Sequence, residues 1–217
     1  MDSRRPKRSR IAAAIVLLLI ASVVLIPTLR RPILRAAGWA LVVDDPIGPS
    51  DVIVVAVDAE GAGVLEAADL VHAGIATGVG IYADPVSPAD HEFIRRGILY
   101  EDTAARSARQ LRSLGVTTVE HIPGTVTGTE AEGRILLEWC ARRQYRSVVV
   151  VSNTDHSRRL RRVFRRATRG HGLNVSVRSA RYSTFDPDRW WETRGGIRTE
   201  IVEFQKLLLD VARHPIS

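Results

Sequence analysis

Apolar residues follow two different kinds of pattern along this chain. Residues 11–29 are an almost unbroken run of Ile, Leu, Val and Ala. Nineteen residues at 1.5 Å each cover roughly the ~30 Å hydrocarbon core of a bilayer, so the run predicts one transmembrane helix. Beyond it, the run 51–57 is β-branched and apolar without alternation, as a strand buried on both faces is, and 78–82, 117–122, 147–151 and 174–177 read as four further strands. Between and after these runs, 64–73, 100–114, 129–145, 155–169 and 192–212 carry apolar residues at helical spacing. On the last of these, Ile197, Ile201, Phe204, Leu208 and Val211 fall along one face. Alternating strand and helix predicts an α/β fold with a Rossmann-like, doubly wound, mainly parallel sheet, preceded by the transmembrane helix. The expected division is a basic tail at 1–10, the span at 11–29, a linker at 30–49 carrying Pro46 and Pro49, and one α/β domain at 50–217.

Charge refines this picture. The net charge is +7 and the pI about 10.4, values that suggest a nucleic-acid binder. Residues 1–35 hold eight of the 31 basic residues and one of the 24 acidic ones, which leaves 23 of each for 36–217. The domain is therefore neutral overall, and nucleic acid is excluded as the expected partner. Arg4, Arg5, Lys7, Arg8 and Arg10 precede the span and Arg30, Arg31 and Arg35 follow it, so the positive-inside rule places the N-terminus in the cytoplasm and the domain outside. A cleaved signal peptide is the rival reading, but Arg30, Arg31 and Pro32 stand where small residues are needed for cleavage. Cys140 is the only cysteine and lies in an apolar run, which suits a buried small hydrophobe.

In a sheet of this kind ligands bind beyond the carboxyl ends of the strands. The loops to search are 58–63, 82–89, 123–129 and 152–156. In the helix after the fourth strand, Leu160, Val163, Phe164 and Ala167 make the inner stripe, and His156 continues it one turn earlier. Arg159 flanks that stripe, while Arg158, Arg161, Arg162, Arg165 and Arg169 fall on the opposite, solvent-facing side. A helix start with a histidine and an arginine suits an anion or phosphate; a packed, hydrogen-bonded histidine is the alternative. Thr129 and Glu132 continue the inner stripe of the preceding helix, yet Thr-x-x-Glu is also a capping box. Asp58 opens the first loop, where only Gly61 and Gly63 answer to a dinucleotide fingerprint. Trp190 and Trp191 suit either stacking on a sugar or base or covering core. The six histidines show no metal-ligand spacing, and no motif names a cofactor, so the cofactor is unknown.

Taken in order, several groups of residues resemble the YdcF-like family, which includes SanA and ElyC. They are DVIVV at 51–55; Ala67, Ala68, Leu70 and Gly74; Leu114, Gly115 and Val116; Thr129 with Glu132; and VVVS at 149–152 followed by His156 and Arg159. The ending, Trp190 and Trp191 followed by Glu203, Lys206 and two leucines, is similar to one branch of that family. The resemblance covers about residues 50–212. It implies a Rossmann-like bacterial domain, often behind one membrane helix, linked to envelope integrity and to peptidoglycan or polysaccharide assembly. Its polar cluster implies ligand-binding Thr129, Ser152 and Arg159 with Glu132 and His156. Three places depart from the pattern: Val57, Asp58 and Ala59 replace a Gly-rich strand end, Gly63 stands where arginine is common, and Ala83, Asp84 and Pro85 replace Ser-Gly-Gly.

The combined expectation is a single-pass envelope protein whose domain binds a phosphate-bearing small molecule or a lipid-linked sugar. If it is an enzyme, His156 serves as general acid/base, Glu132 orients it or a water, and Asp58, Thr129, Ser152 and Arg159 bind the ligand. A non-catalytic scaffold that recruits envelope-synthesis partners is the alternative.

Overall fold

In a computed structural model describing residues 27–83 and 85–215, one sheet of five strands organises the domain. The strands are β1 (Val52–Val55), β2 (Gly78–Ala83), β3 (Thr118–Thr125), β4 (Ser147–Ser152) and β5 (Asn174–Ser179). All neighbours pair in parallel, in the order β3-β2-β1-β4-β5. Helices α1 (Pro27–Trp39), α2 (Glu60–His72), α3 (Pro88–Arg95), α4 (Thr103–Ser113), α5 (Thr129–Arg143), α6 (Ser157–Thr168) and α7 (Arg194–Arg213) complete the described residues, with short 3-10 turns at Val57–Ala59 and Trp190–Glu192. The α/β, parallel, Rossmann-like architecture is thus as expected. Every residue of β1 is buried, because α2 packs on α4 over one face and α5 on α6 over the other.

The span expected at 11–29 lies outside the described residues except for its last three, which start α1. Among the described residues, no helix is long and apolar enough to cross a membrane.

Residues 30–49, expected as a linker, fold onto the domain. Arg35 Nε and Trp39 Nε1 of α1 both donate to Asp188 Oδ1, at 2.8 and 2.9 Å, and Trp190 Nε1 donates to the Leu34 carbonyl at 2.8 Å. Leu41, Val42 and Val43 are buried, with Leu41 joining Phe185 and Leu207 in a small second core. Val43 N donates to Ser157 Oγ, and Asp44 pairs with Arg178 at the end of β5. Asp45 N then bonds the Val177 carbonyl, and the chain reaches the opposite edge where Asp51 meets Ser147. α1 therefore stands at the carboxyl edge of the sheet. Its partners lie some 150 residues away in sequence, which is why composition alone reads the segment as a linker.

Helix α7 departs from its apolar stripe. Its buried residues are Glu200, Glu203 and Leu207, while Ile197, Ile201, Leu208 and Val211 are exposed and only Phe204 is half-buried. Arginines of α6 explain the rotation: Arg159 holds Glu203, and Arg162 and Arg166 hold Asp210 at 2.7 Å each. The same contacts correct the solvated face expected on α6. Arg158 donates to the Trp39 and Val42 carbonyls and Arg161 pairs with Asp45, so of the arginines expected outward only Arg165 and Arg169 are exposed.

Gly63 sits where α2 crosses β1. A Cβ there would lie 2.5 Å from Ala59 Cβ and 2.8 Å from Val55 Cγ1. Gly63→Ala is therefore expected to destabilise the protein by about 1–3 kcal/mol through overpacking, read as an earlier midpoint in urea unfolding. The arginine common at this position in the YdcF-like pattern has no room against the Ala59 and Val55 side chains.

Candidate functional site at the carboxyl edge

Strand order reverses between β1 and β4, and the loops that leave these two strands meet above that point. Asp58, in the turn after β1, ties them together. Its Oδ2 accepts from Asn153 N at 3.2 Å and from Ser152 Oγ at 3.4 Å, and its carbonyl accepts from Asn153 Nδ2 at 2.6 Å. Asp58 Oδ1 is buried and has no hydrogen-bond partner among the described residues. Ser152 is fully buried at the end of β4.

The capping box readable at Thr129 and Glu132 does not form. Gly128 occupies the N-cap with no side-chain cap, and Thr129 is the first residue of α5. Freed of that task, both side chains turn to the strand ends. Glu132 is buried, and its Oε1 accepts from Val57 N at 3.0 Å. Thr129 Oγ1 accepts from Arg159 Nη1 at 2.9 Å and lies 3.5 Å from His156 Nε2.

His156 is at the N-cap of α6, with its ring buried. Its Nδ1 is 3.2 Å from Glu203 Oε2, and the same oxygen accepts from Arg159 Nη2 at 3.0 Å and Nε at 3.2 Å. Lys206 Nζ donates to the other Glu203 oxygen at 2.6 Å. Arg159 Nη2 is also 2.8 Å from His156 Nδ1. Two N–H groups cannot point at each other, so Nδ1 either donates to Glu203 or accepts from Arg159 with its proton moved to Nε2. The carboxylate that orients His156 is thus Glu203. Glu132, expected to orient His156 or a water, bonds Val57 N rather than the imidazole.

Electrostatics separates the carboxyl groups. Burial, reinforced by the nearby Asp58 charge, pushes Glu132 up to about 7. Burial also raises Asp58. Glu203 goes the other way: burial opposes its charge, but hydrogen bonds from His156 and Lys206 and the charges of His156 and Arg159 hold it down at about 2. For His156, burial lowers the pKa, yet the Asp58 charge and the bond to Glu203 outweigh it and the net shift is upward. One carboxyl able to exchange a proton near neutrality thus lies near an imidazole that a permanent carboxylate orients, an arrangement suited to acid/base chemistry.

A groove of about 230 Å³ opens on one side of this cluster, with Thr129, Arg159, Lys206, Asp210 and Arg213 in its lining. Thr129 and Arg159 reach the groove, His156 lies behind them, and Asp58, Glu132 and Ser152 lie deeper. Trp190 and Trp191 are elsewhere: they meet edge to face at 5.9 Å beside α1, which suits covering rather than stacking on a ligand. Within the groove, Glu130, Asp210 and His214 place possible ligand atoms within 4.8 Å of one another. Arg166 already pairs with both carboxylates at 2.6 and 2.7 Å, which puts a positive charge where a metal ion would sit. Comparison of the chain with protein families, curated proteins and solved structures found no match.

Sequence reasoning missed Glu203 and Lys206 as members of the site. A signal for Glu203 was present: a Glu between Ile201, Val202, Phe204 and Leu207 is costly to bury unless it has partners, and Lys206, one turn later, can supply one.

Proposed function

We propose that this is a membrane-anchored, extracytoplasmic domain of YdcF-like type, serving bacterial cell-envelope biogenesis, that binds a phosphate-bearing small molecule or lipid-linked sugar at the carboxyl edge of its sheet. The observation that carries this reading is the chain Glu203, His156, Thr129 with Arg159 beside it, opening into a groove further lined by Lys206 and Arg213. Arg159 and the start of α5, whose N-cap Gly128 makes no side-chain bond, suit an anion. His156 then exchanges a proton with the reacting oxygen through the Thr129 hydroxyl, 3.5 Å from its Nε2, held in its tautomer by Glu203, and hydrolysis or transfer at phosphate is the matching reaction class. The resemblance in residues supplies the envelope role, and the charge bias around 11–29 supplies the anchor.

Two experiments test it. Native mass spectrometry of the intact chain should detect a co-purified phosphate-bearing ligand that is lost in His156→Ala and Arg159→Ala but kept in Arg165→Ala, whose side chain is exposed on the same helix. A ligand retained in a folded His156→Ala, Arg159→Ala double variant would overturn the anion site and favour the scaffold. For the anchor, a periplasm-active reporter fused after Ser217 should be active and a cytoplasm-active one silent. Reversed activities would sink the orientation.

A further inference from the structure

We propose that the carboxyl edge of the sheet faces the bilayer and that the segment following β2, α3 with the residues just after it, dips into the lipid surface. This rests on the anchor proposed above.

Residues 93–100 are exposed without interruption, and Phe93, Ile94, Ile98 and Leu99 among them are large apolar side chains, with Leu99 at 100% exposure. No residue of α3 is buried. The helix holds its shape through local bonds instead. Ser87 Oγ accepts from Asp90 N at 3.1 Å and Ser87 N donates back to Asp90 Oδ2 at 3.3 Å, while Glu92 pairs with Arg95 and Arg96. A pre-formed, self-capped helix with an apolar tip and two arginines at its shoulder suits the boundary between headgroups and acyl chains.

The position of the tip singles out a bilayer as its occupant. All five strands run in one direction, so the segment after β2 lies at the same edge as the loops after β1 and β4. α1 stands at that edge too, pinned through Asp188, Trp190 and the start of α6. The apolar run 11–29 leads directly into α1, so the proposed span enters the domain from this side. The ten residues of α1 beyond the span, 30–39, set a stalk of roughly 15 Å at most between bilayer and domain. The candidate site then opens toward lipid headgroups rather than bulk solvent.

The test uses the intact chain in phospholipid vesicles, with Leu99→Cys carrying an environment-sensitive fluorophore. Cys140 is buried, so the introduced thiol is labelled alone. Leu114→Cys, exposed just before β3 at the opposite edge, is the comparison. The expected result is emission from position 99 that is shifted to the blue and quenched by lipid carrying brominated acyl chains, with neither effect at position 114. Water-like emission at both positions would overturn the proposal. So would blue-shifted emission at position 99 that bromine leaves untouched, which would mean that the tip closes on its own domain or on a second copy. Release of the chain from vesicles by alkaline carbonate would refute the anchor and this inference together, a result separable from failure of the tip alone.

Discussion

Glu203→Ala is expected to destabilise the protein by about 3 kcal/mol, more than any other single change in the candidate site. Removing this carboxylate leaves His156, Arg159 and Lys206 facing one another without their shared counter-charge, and the first two are largely out of solvent. Loss of one member of a buried ion pair costs far more than the pair's net contribution. The penalty should therefore shrink when the positive partner goes as well, so Glu203→Ala with Arg159→Met should recover part of the loss. The pH dependence follows from the pKa of about 2 against an unfolded value near ~4.3. A depressed carboxylate contributes its full stability above about pH 4.3 and loses it as pH falls through 2. Urea unfolding should thus show a wide gap between wild type and Glu203→Ala at pH 7 that closes toward pH 2. An unchanged gap at low pH would contradict the charge-pairing account.

Glu132→Gln is expected to act in the opposite direction, raising stability by roughly 2 kcal/mol at pH 8. The folded-state pKa of about 7 lies above the unfolded ~4.3, so the protein holds a proton here that the unfolded chain has released. Stability from this group is fully present below about pH 4.3 and is lost as pH rises through 7. Glutamine keeps the carbonyl that accepts from Val57 N and carries no charge to desolvate. The variant should lack this fall in stability between pH 4.3 and 7, measured as unfolding midpoints at fixed urea increments. Any turnover that uses the Glu132 proton should disappear at the same time. A more stable yet inactive variant would mark a carboxyl held for chemistry at the expense of stability.

The sheet was legible because buried parallel strands advertise themselves as β-branched runs, and 147–151 became β4 with one residue to spare. Extrapolating helix stripes backward by 100° per residue also placed His156, Thr129 and Glu132 over one edge, where the structure has them. That method failed on α7, since periodicity weighs apolar area but not the pull of Arg159, Arg162 and Arg166 on Glu203 and Asp210. Nor could it see α1, whose partners Asp188 and Trp190 arrive through tertiary contact alone, or α3, which forms through its own capping box without packing. The Thr-x-x-Glu capping box was the reverse case. A local motif offered a complete explanation, and contacts across the sheet displaced it.

The strand order also sets a timetable for folding. β1 lies in the centre of the sheet, yet its neighbour β4 is encoded 96 residues later, at Val52 and Val148. No hairpin is available anywhere in an all-parallel sheet, so each pairing waits for a full crossover. As the chain is synthesised, β1, β2 and β3 form half a sheet whose open edge is the most apolar strand of the protein. α1 waits longer still, because Arg35 must find Asp188 across 153 residues. Until β4 arrives, that bare edge is the point at which a nascent chain is most exposed to mispairing and to capture by chaperones.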